Sequence, residues 1–399
     1  MQRRNFIRIL GGGIVLGAGA SLSGCADTPP AQAISAWAGP PAEFDLRRWA
    51  LAHALLAPNA HNRQPWLADL RQPEAIVLRV DRERLLPETD PAHRQILISQ
   101  GTFLELLVLA LAARGQVAQM EAFPEGEFGP TSLDDRPVAR LTWAPAASGS
   151  PADPLFGQIL KRHTVKVPYD PARQVSPQQL QALLQAAGAG AGADAAFGLR
   201  AGGVVAGPRV DELRSLTMAA AETEIRTERT VMESQRLIRI GPSEILRHRD
   251  GISITSPGAR LLSAVGLFDR STAPAPGSAA MNAMLDRYKG LCSTAMGWVW
   301  LSTDTASNTP AGRTRSAELA AGRAYARLHL KATELGLQMH PLSQALQEFD
   351  EMREHRERVH RLVLEASPTQ RTLQMLCRIG YAEGRPPSPR RALEGIIQA

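Results

Sequence analysis

Two stretches of this 399-residue chain are written to one plan. "HRQILISQGTFLELLVLALAARGQ", from His93 to Gln116, and "SAELAAGRAYARLHLKATELG", from Ser316 to Gly336, are long, rich in alanine and leucine, and stopped by a glycine. In the first, Ile96, Leu97, Phe103, Leu104, Leu107, Val108 and Leu111 are dense enough for a helix buried in a core. Gly115 and Gly336 supply the residue that most readily turns left-handed after a last helical turn. Apolar, β-branched runs flank each helix, so the chain is expected to be α+β, an internal duplication of one unit. Its length suffices for two ordinary domains, and 44% hydrophobic with 21% charged residues is a globular composition.

Local signals fill in each half. "FDLRRWALAHALL", Phe44 to Leu56, reads as a helix ended by Pro58. "AIVLRVD" (75–81), "VAQMEAF" (117–123) and "VARLTWA" (138–144) read as strands. "PAASGSPADP", 145–154, is the expected boundary between a first half over 43–148 and a second over 149–399. The second half opens with "LFGQILKRHTVKVPYD" (155–170), then a helix from Ser176, its N-cap, with Pro177 at the first helical position. "GAGAGADAAFG", 188–198, follows a helix and not a strand, so it is a loop and not a dinucleotide site. A helical, charge-mixed insertion is expected from Asp211 to Arg249. "GWVWLSTD" (297–304) reads as a buried strand with Trp298 and Trp300 on one face. "LQMHPLSQALQE" (337–348) reads as a helix, and Leu373 to Ile379 as a strand.

The amino terminus reads as an address. "MQRRNFIRILGGGIVLGAGASLSGC" has paired arginines, Arg3 and Arg4, then a short apolar run from Ile9 to Ala20. That is the form of a twin-arginine export signal over 1–25. "LSGC", ending at Cys25, resembles a bacterial lipobox, which makes Cys25 the expected lipidation site; the alternative is a plain cleavable signal. Residues 26–42 are rich in Pro and Ala and are expected to be a tether. The expected location is periplasmic, free or as a membrane-anchored lipoprotein, with the lipid as the only tie to the membrane.

Other classes find little support. The net charge of +6 is spread along the chain, which argues for a solvated basic surface and no nucleic-acid partner. Three cysteines without CxxC, and nine histidines without HExxH, argue against a metal.

"APNAHNRQPW", Ala57 to Trp66, is a loop directly after a helix, and its amides can either hold the loop together or meet a polar ligand. It is similar to the Pro-Ser-Ser-x-Asn-x-Gln-Pro-Trp loop of the nitroreductase-like flavoproteins. "KRHTVKVPYD", from Lys161, looks like that superfamily's Arg-Arg-Ser-x-Arg element, and "CRIGYAEGRPPSPRR", from Cys377, resembles its closing tail. With "DPAHRQILISQG" and "AGRAYARLHLKATELGLQMHPLSQ", the chain most resembles the Acg-like branch, whose members look like a nitroreductase dimer fused into one chain. The resemblance spans roughly Phe44 to Leu393. It implies a nitroreductase-like fold, an intramolecular pseudo-dimer that is monomeric in solution, and flavin mononucleotide (FMN) as cofactor.

The resemblance also implies where FMN would bind: Pro58, Asn59, Ala60, Asn62 and Gln64 from the loop; Arg162, His163, Thr164 and Lys166 from the basic element; Ser343; and Arg390 and Arg391 from the tail. Cations and hydroxyls suit a phosphate, and amides suit the polar edge of a flavin ring. Asn59 and Ala60 stand where serines usually stand. The loop occurs only in the first half and the basic element only in the second, which implies one composite site per chain. The implied activity is electron transfer from a donor the sequence does not identify to a small electrophile such as a nitroaromatic or quinone. Flavin binding or storage with little turnover is the alternative. The protein groups would bind and tune the ring, so no acid-base catalyst is assigned.

Overall fold

A computed structural model of the chain describes residues 28–42, 45–147, 152–188, 197–265, 269–304, 315–365 and 370–398. The export signal, Cys25, Phe44, most of 188–198 and the middle of the 145–154 boundary lie outside these residues.

From Pro30 onward, the segment expected to be a tether packs on the body. It forms α1 (Ala31–Ile34) and a 3-10 turn, Ser35–Ala38, and Ala33 is buried. The first half then runs α2 (Leu46–Ala54), β1 (Trp66–Asp69), β2 (Ala75–Val80), α3 (Arg94–Ala113), β3 (Gln116–Ala122) and β4 (Ala139–Pro145). Asp45 caps α2 by accepting from the Arg47 and Arg48 amides. The second half opens with α4 (Pro177–Ala186), where Ser176 and Gln179 form a reciprocal capping box, and continues to β5 (Arg200–Val204).

An insertion follows: α5 (Pro208–Arg226), α6 (Glu228–Arg236), β6 (Ile238–Ile240), α7 (Gly241–His248), β7 (Ile252–Ile254), α8 (Pro257–Ala264) and α9 (Ala279–Ser293). The half then resumes with β8 (Gly297–Asp304), α10 (Arg315–Glu334), β9 (Gln338–Pro341), α11 (Arg353–Leu364) and β10 (Arg371–Gly380); β11 (Ile397–Gln398) ends the chain.

The two main sheets have one topology. The first is ordered β11-β1-β2-β4-β3 and the second β5-β8-β10-β9, so β1, β2, β4 and β3 correspond to β5, β8, β10 and β9. The neighbours within each matched set are antiparallel. Helices α3 and α10 match residue for residue. Arg94 and Arg315 begin them, Gly101 and Gly322 lie at their crossing, and Gly115 and Gly336 end them at φ +69, each pair the same number of residues apart. Even the ties between halves are exchanged. Buried Arg94 donates to the Leu346 and Gln374 carbonyls of the second half, at 2.6 and 2.8 Å. Buried Arg315 donates to the Ala92 and Gly129 carbonyls of the first. The chain is α+β, two tandem halves about a pseudo-twofold axis.

The tail crosses back. β11 adds to β1 in parallel, and Leu393 and Ile396 join the core of the first sheet together with Leu155 and Ile159. Trp298 and Trp300 share one buried face of β8, as expected, and Val299 and Leu301 share the other. Cys292 and Cys377 are buried and free. One expectation fails: 337–348 is not a helix. Gly336 turns the chain and β9 pairs with β10, leaving only a short 3-10 turn at Gln344–Leu346. Helix α3 is long and apolar enough to cross a membrane, but it is buried between the halves.

Candidate functional site

The loop after α2 is built by its own amides on a costly backbone. His61, Asn62 and Gln64 all have positive φ, near +50, a region that non-glycine residues avoid. Asn59 holds the bend: its side chain accepts from the Gln64 amide at 2.7 Å and donates to the Ala57 carbonyl. Helix α3 pins the loop from below, with Thr102 donating to the Pro58 carbonyl at 2.6 Å and Ser99 accepting from the Ala60 amide.

The loop then reaches two other regions. Asn62 donates to the Pro389 carbonyl at 3.1 Å and accepts from Arg390 at 2.9 Å. Gln64 donates to the Arg249 carbonyl of the insertion and accepts from the Arg391 amide, both at 2.8 Å. Thus Asn59, Asn62 and Gln64 are structural amides here, tying the loop to the tail and the insertion. Arg391 is likewise engaged, with Asp81 at 3.0 Å and the Gln64 carbonyl at 3.1 Å.

The basic element and the tail converge behind this loop. Arg162 and Arg390 both donate to the Leu56 carbonyl, at 2.7 and 3.2 Å, just past the end of α2. Both residues are buried, at 1% and 4% exposure, and among the described residues no carboxylate forms an ion pair with either. Burial pushes Arg162 down to about 10, and burial with the nearby Arg162 charge pushes Arg390 down as well. Arg390 spends its other donors on the Leu55, Ala57 and Pro389 carbonyls and on Asn62. Arg162 keeps its Nε without a hydrogen-bond partner.

His163 sits beside them with its Nε2 also buried and unpartnered. Burial, then Arg162 and Arg390, lower it to about 4, so the ring is neutral at neutral pH. Trp37 of the N-terminal segment covers all three groups. Its ring lies 4.9 Å from the His163 ring, and 4.8 and 5.6 Å from the guanidinium carbons of Arg390 and Arg162. A cleft of about 130 Å³ beside His163, lined also by Lys161, Val165, Gln338 and Gly384, is smaller than an ordinary ligand pocket of roughly 300–1,000 Å³.

Thr164 is half-buried on the same irregular element, and Lys166 closes it. Lys166 is exposed as a residue yet crowded by protein around its side chain, and this desolvation, with Arg287 of α9, lowers it to about 8. Lys166 in turn depresses His61, which burial already lowers, to about 4, and it also acts on His340 of β9. The loop and the basic element therefore lie within electrostatic reach of each other. Ser343 follows β9 with its Oγ buried and unpartnered, and its neighbour Gln344 donates to the Tyr288 hydroxyl of α9 at 3.1 Å. Burial raises Glu224 of α5, close to Gln344 and Gln347, to about 7.

Sequence reasoning missed Trp37, Arg287 and Tyr288, and held His61 only as a member of the loop. Trp37 alone carried a signal, as the single aromatic residue of residues 26–42. Among the described residues no group of histidine, cysteine and carboxylate side chains could hold a metal ion.

The polar set fits a phosphate monoester. Two buried guanidiniums without a counter-ion, one of them with its Nε unpartnered, call for an anion bearing several acceptors.

No protein-family model matches the chain. It is 30% identical over 126 residues to a Mycobacterium tuberculosis protein named "Putative NAD(P)H nitroreductase acg", a match covering 31% of this chain and 36% of that protein. The matched stretch therefore spans about a third of that relative. A second M. tuberculosis protein of the same description is 26% identical over 358 residues, 88% of this chain and 90% of its own length. Among solved structures, a Bacteroides fragilis nitroreductase with bound FMN overlaps 62% of this chain and 98% of its own, at 16% identity and a TM-score of 0.36. A Mycobacterium smegmatis FMN-dependent nitroreductase overlaps 61% and 96%, at 18% and 0.34. Overlaps this loose carry no weight about the site. The chain is thus similar along nearly its whole length to a protein described as a putative NAD(P)H nitroreductase, and its own two halves share one α+β topology.

Proposed function

We propose that the chain is an FMN-dependent oxidoreductase of nitroreductase type, passing electrons to a small electrophile such as a nitroaromatic or quinone. One observation carries the reading: Arg162 and Arg390 are buried side by side, tied to the same Leu56 carbonyl, with no carboxylate to neutralise them. A phosphate group is the natural complement. Arg162 Nε would hold it, joined by His163 in its Nε2–H tautomer, and Lys166 and Ser343 would supply further polar groups to the cofactor. FMN, when bound, supplies the two-electron chemistry. The protein's part is to bind, orient and exclude water.

The site is proposed as one per chain, in a pseudo-dimer that is itself a monomer. Residues 28–42, which precede α2 as the basic element precedes α4, contain no cation, and 187–198, which follow α4 as the loop follows α2, contain no amide side chain. Export by the twin-arginine route, as a periplasmic protein or a lipoprotein anchored through Cys25, would follow cofactor loading in the cytoplasm. Outside the cytoplasm the electron donor would differ from a reduced nicotinamide.

The cover of Trp37 and the narrow cleft beside His163 favour a second reading, a flavin-binding or storage protein with little turnover. Purified protein separates the two. Yellow absorbance shows bound flavin. Reduction by dithionite and prompt reoxidation by a nitroaromatic support the enzyme, whereas bound flavin that an electrophile does not reoxidise supports storage.

A further inference from the structure

We infer that Trp37 is a clamp that holds a phosphate monoester in the site formed by Arg162, His163 and Arg390. The inference rests on the flavin reading above and adds to it the residue that governs exchange.

The N-terminal segment is fixed over the site at several points. Trp37 Nε1 donates to the Ser388 carbonyl at 2.9 Å, the Arg390 amide donates to the Ala33 carbonyl at 2.9 Å, and Gly39 lies against Leu160. It is thus held by the tail on one side and by the basic element on the other.

A segment that replaced the anion would satisfy the groups that call for it. This one does not. Arg162 Nε and His163 Nε2 stay buried and unpartnered beneath it, and the indole N–H is already spent on Ser388. Residues 28–42 contain no Asp or Glu, so the segment brings no counter-charge. What it brings is a π-face. An indole face attracts a guanidinium from above and leaves its in-plane donors free, so an anion in the plane and Trp37 on the face are compatible. The demand for an anion therefore persists with Trp37 in place, which is the behaviour of a clamp and not of a plug. Because Trp37 is half-buried and only flanks the first core, its removal should spare the fold.

The test compares wild type with Trp37→Ala and Trp37→Phe in the full-length mature protein. FMN release is followed after dilution into an excess of apoflavodoxin as a trap. The clamp predicts release from Trp37→Ala about tenfold faster than from wild type, with Trp37→Phe, which keeps the ring face and loses the Ser388 tie, in between. An unchanged release rate, or tighter FMN binding by Trp37→Ala, overturns the clamp; tighter binding identifies a plug. If wild type holds no FMN, the flavin reading fails on its own, and inorganic phosphate becomes the probe. The clamp then predicts a phosphate-induced rise in melting temperature that is larger in wild type than in Trp37→Ala. Equal shifts, or none in either protein, overturn it.

Discussion

Gly101 and Gly322 meet at the crossing of α3 and α10, and neither has room for a side chain. A Cβ on Gly101 would fall 2.9 Å from the Gly322 Cα and closer still to the Leu319 carbonyl. A Cβ on Gly322 would fall 2.8 Å from the Gly101 Cα and closer to the Ile98 carbonyl. Ile98 and Leu319 each stand three residues before their own glycine, so the contact repeats itself about the pseudo-twofold axis. The obstacles are backbone atoms, which cannot swing away. Gly101→Ala and Gly322→Ala should each destabilise the chain by about 2–3 kcal/mol, the upper range for overpacking. The double variant should cost less than the two summed, because helices already forced apart by one methyl accept the second. Urea unfolding of the three variants checks this, and full additivity would contradict the shared contact.

The strand that sequence reasoning took for a helix shows where sequence runs out. In 337–348 Met339, Leu342 and Leu346 recur at helical spacing, and what settles the segment is pairing with β10, a partner far away in the chain. The short strands β1, β5 and β11 were invisible for the same reason. The long helices, β2, β8 and the Ser176 cap were legible because period, length and end signals agreed locally. The loop, the basic element and the tail were recognised as one site, but not that Asn62 and Gln64 would be occupied by the tail and insertion. Nor did a Pro- and Ala-rich composition reveal that Trp37 would dock.

His360 gives the fold an acid-sensitive tie. Its ring is buried, Nδ1 lies 2.7 Å from the Arg356 carbonyl, and Nε2 accepts from the Leu373 amide at 2.9 Å. A second ring proton would remove that acceptor. Burial lowers the group to about 4, while an unfolded histidine titrates near 6.5. Its contribution is therefore complete above pH 6.5 and is lost as pH falls from about 6.5 toward 4, where the unfolded chain takes up the proton first. In His360→Gln the melting temperature should fall less steeply over that window than in wild type; parallel curves would contradict the assignment.

Asn62→Ala should cost stability whether or not flavin is present, because Asn62 bonds both Pro389 and Arg390. The loss of a bond to a charged group alone is worth about 1.5–3 kcal/mol. Arg162→Ala should in addition abolish most of the flavin-induced rise in melting temperature. A full flavin shift in Arg162→Ala would remove that residue from the phosphate site.

The address is tested by substitution at the amino terminus. Arg3→Lys with Arg4→Lys should hold the precursor in the cytoplasm, and Cys25→Ala should release the exported protein from membranes. Fractionation reads both. Normal export of the double-lysine variant would contradict the twin-arginine reading.

The central claim is that the fused halves retain one anion-demanding site, set by Arg162 and Arg390 against the end of α2. Its most direct test is the flavin released per chain on heat denaturation of protein saturated with FMN. The account predicts a value near one, falling steeply in Arg162→Ala. A value near two would reveal a second site in the half that lacks the basic element, and a value near zero would show that the two buried guanidiniums serve the fold alone.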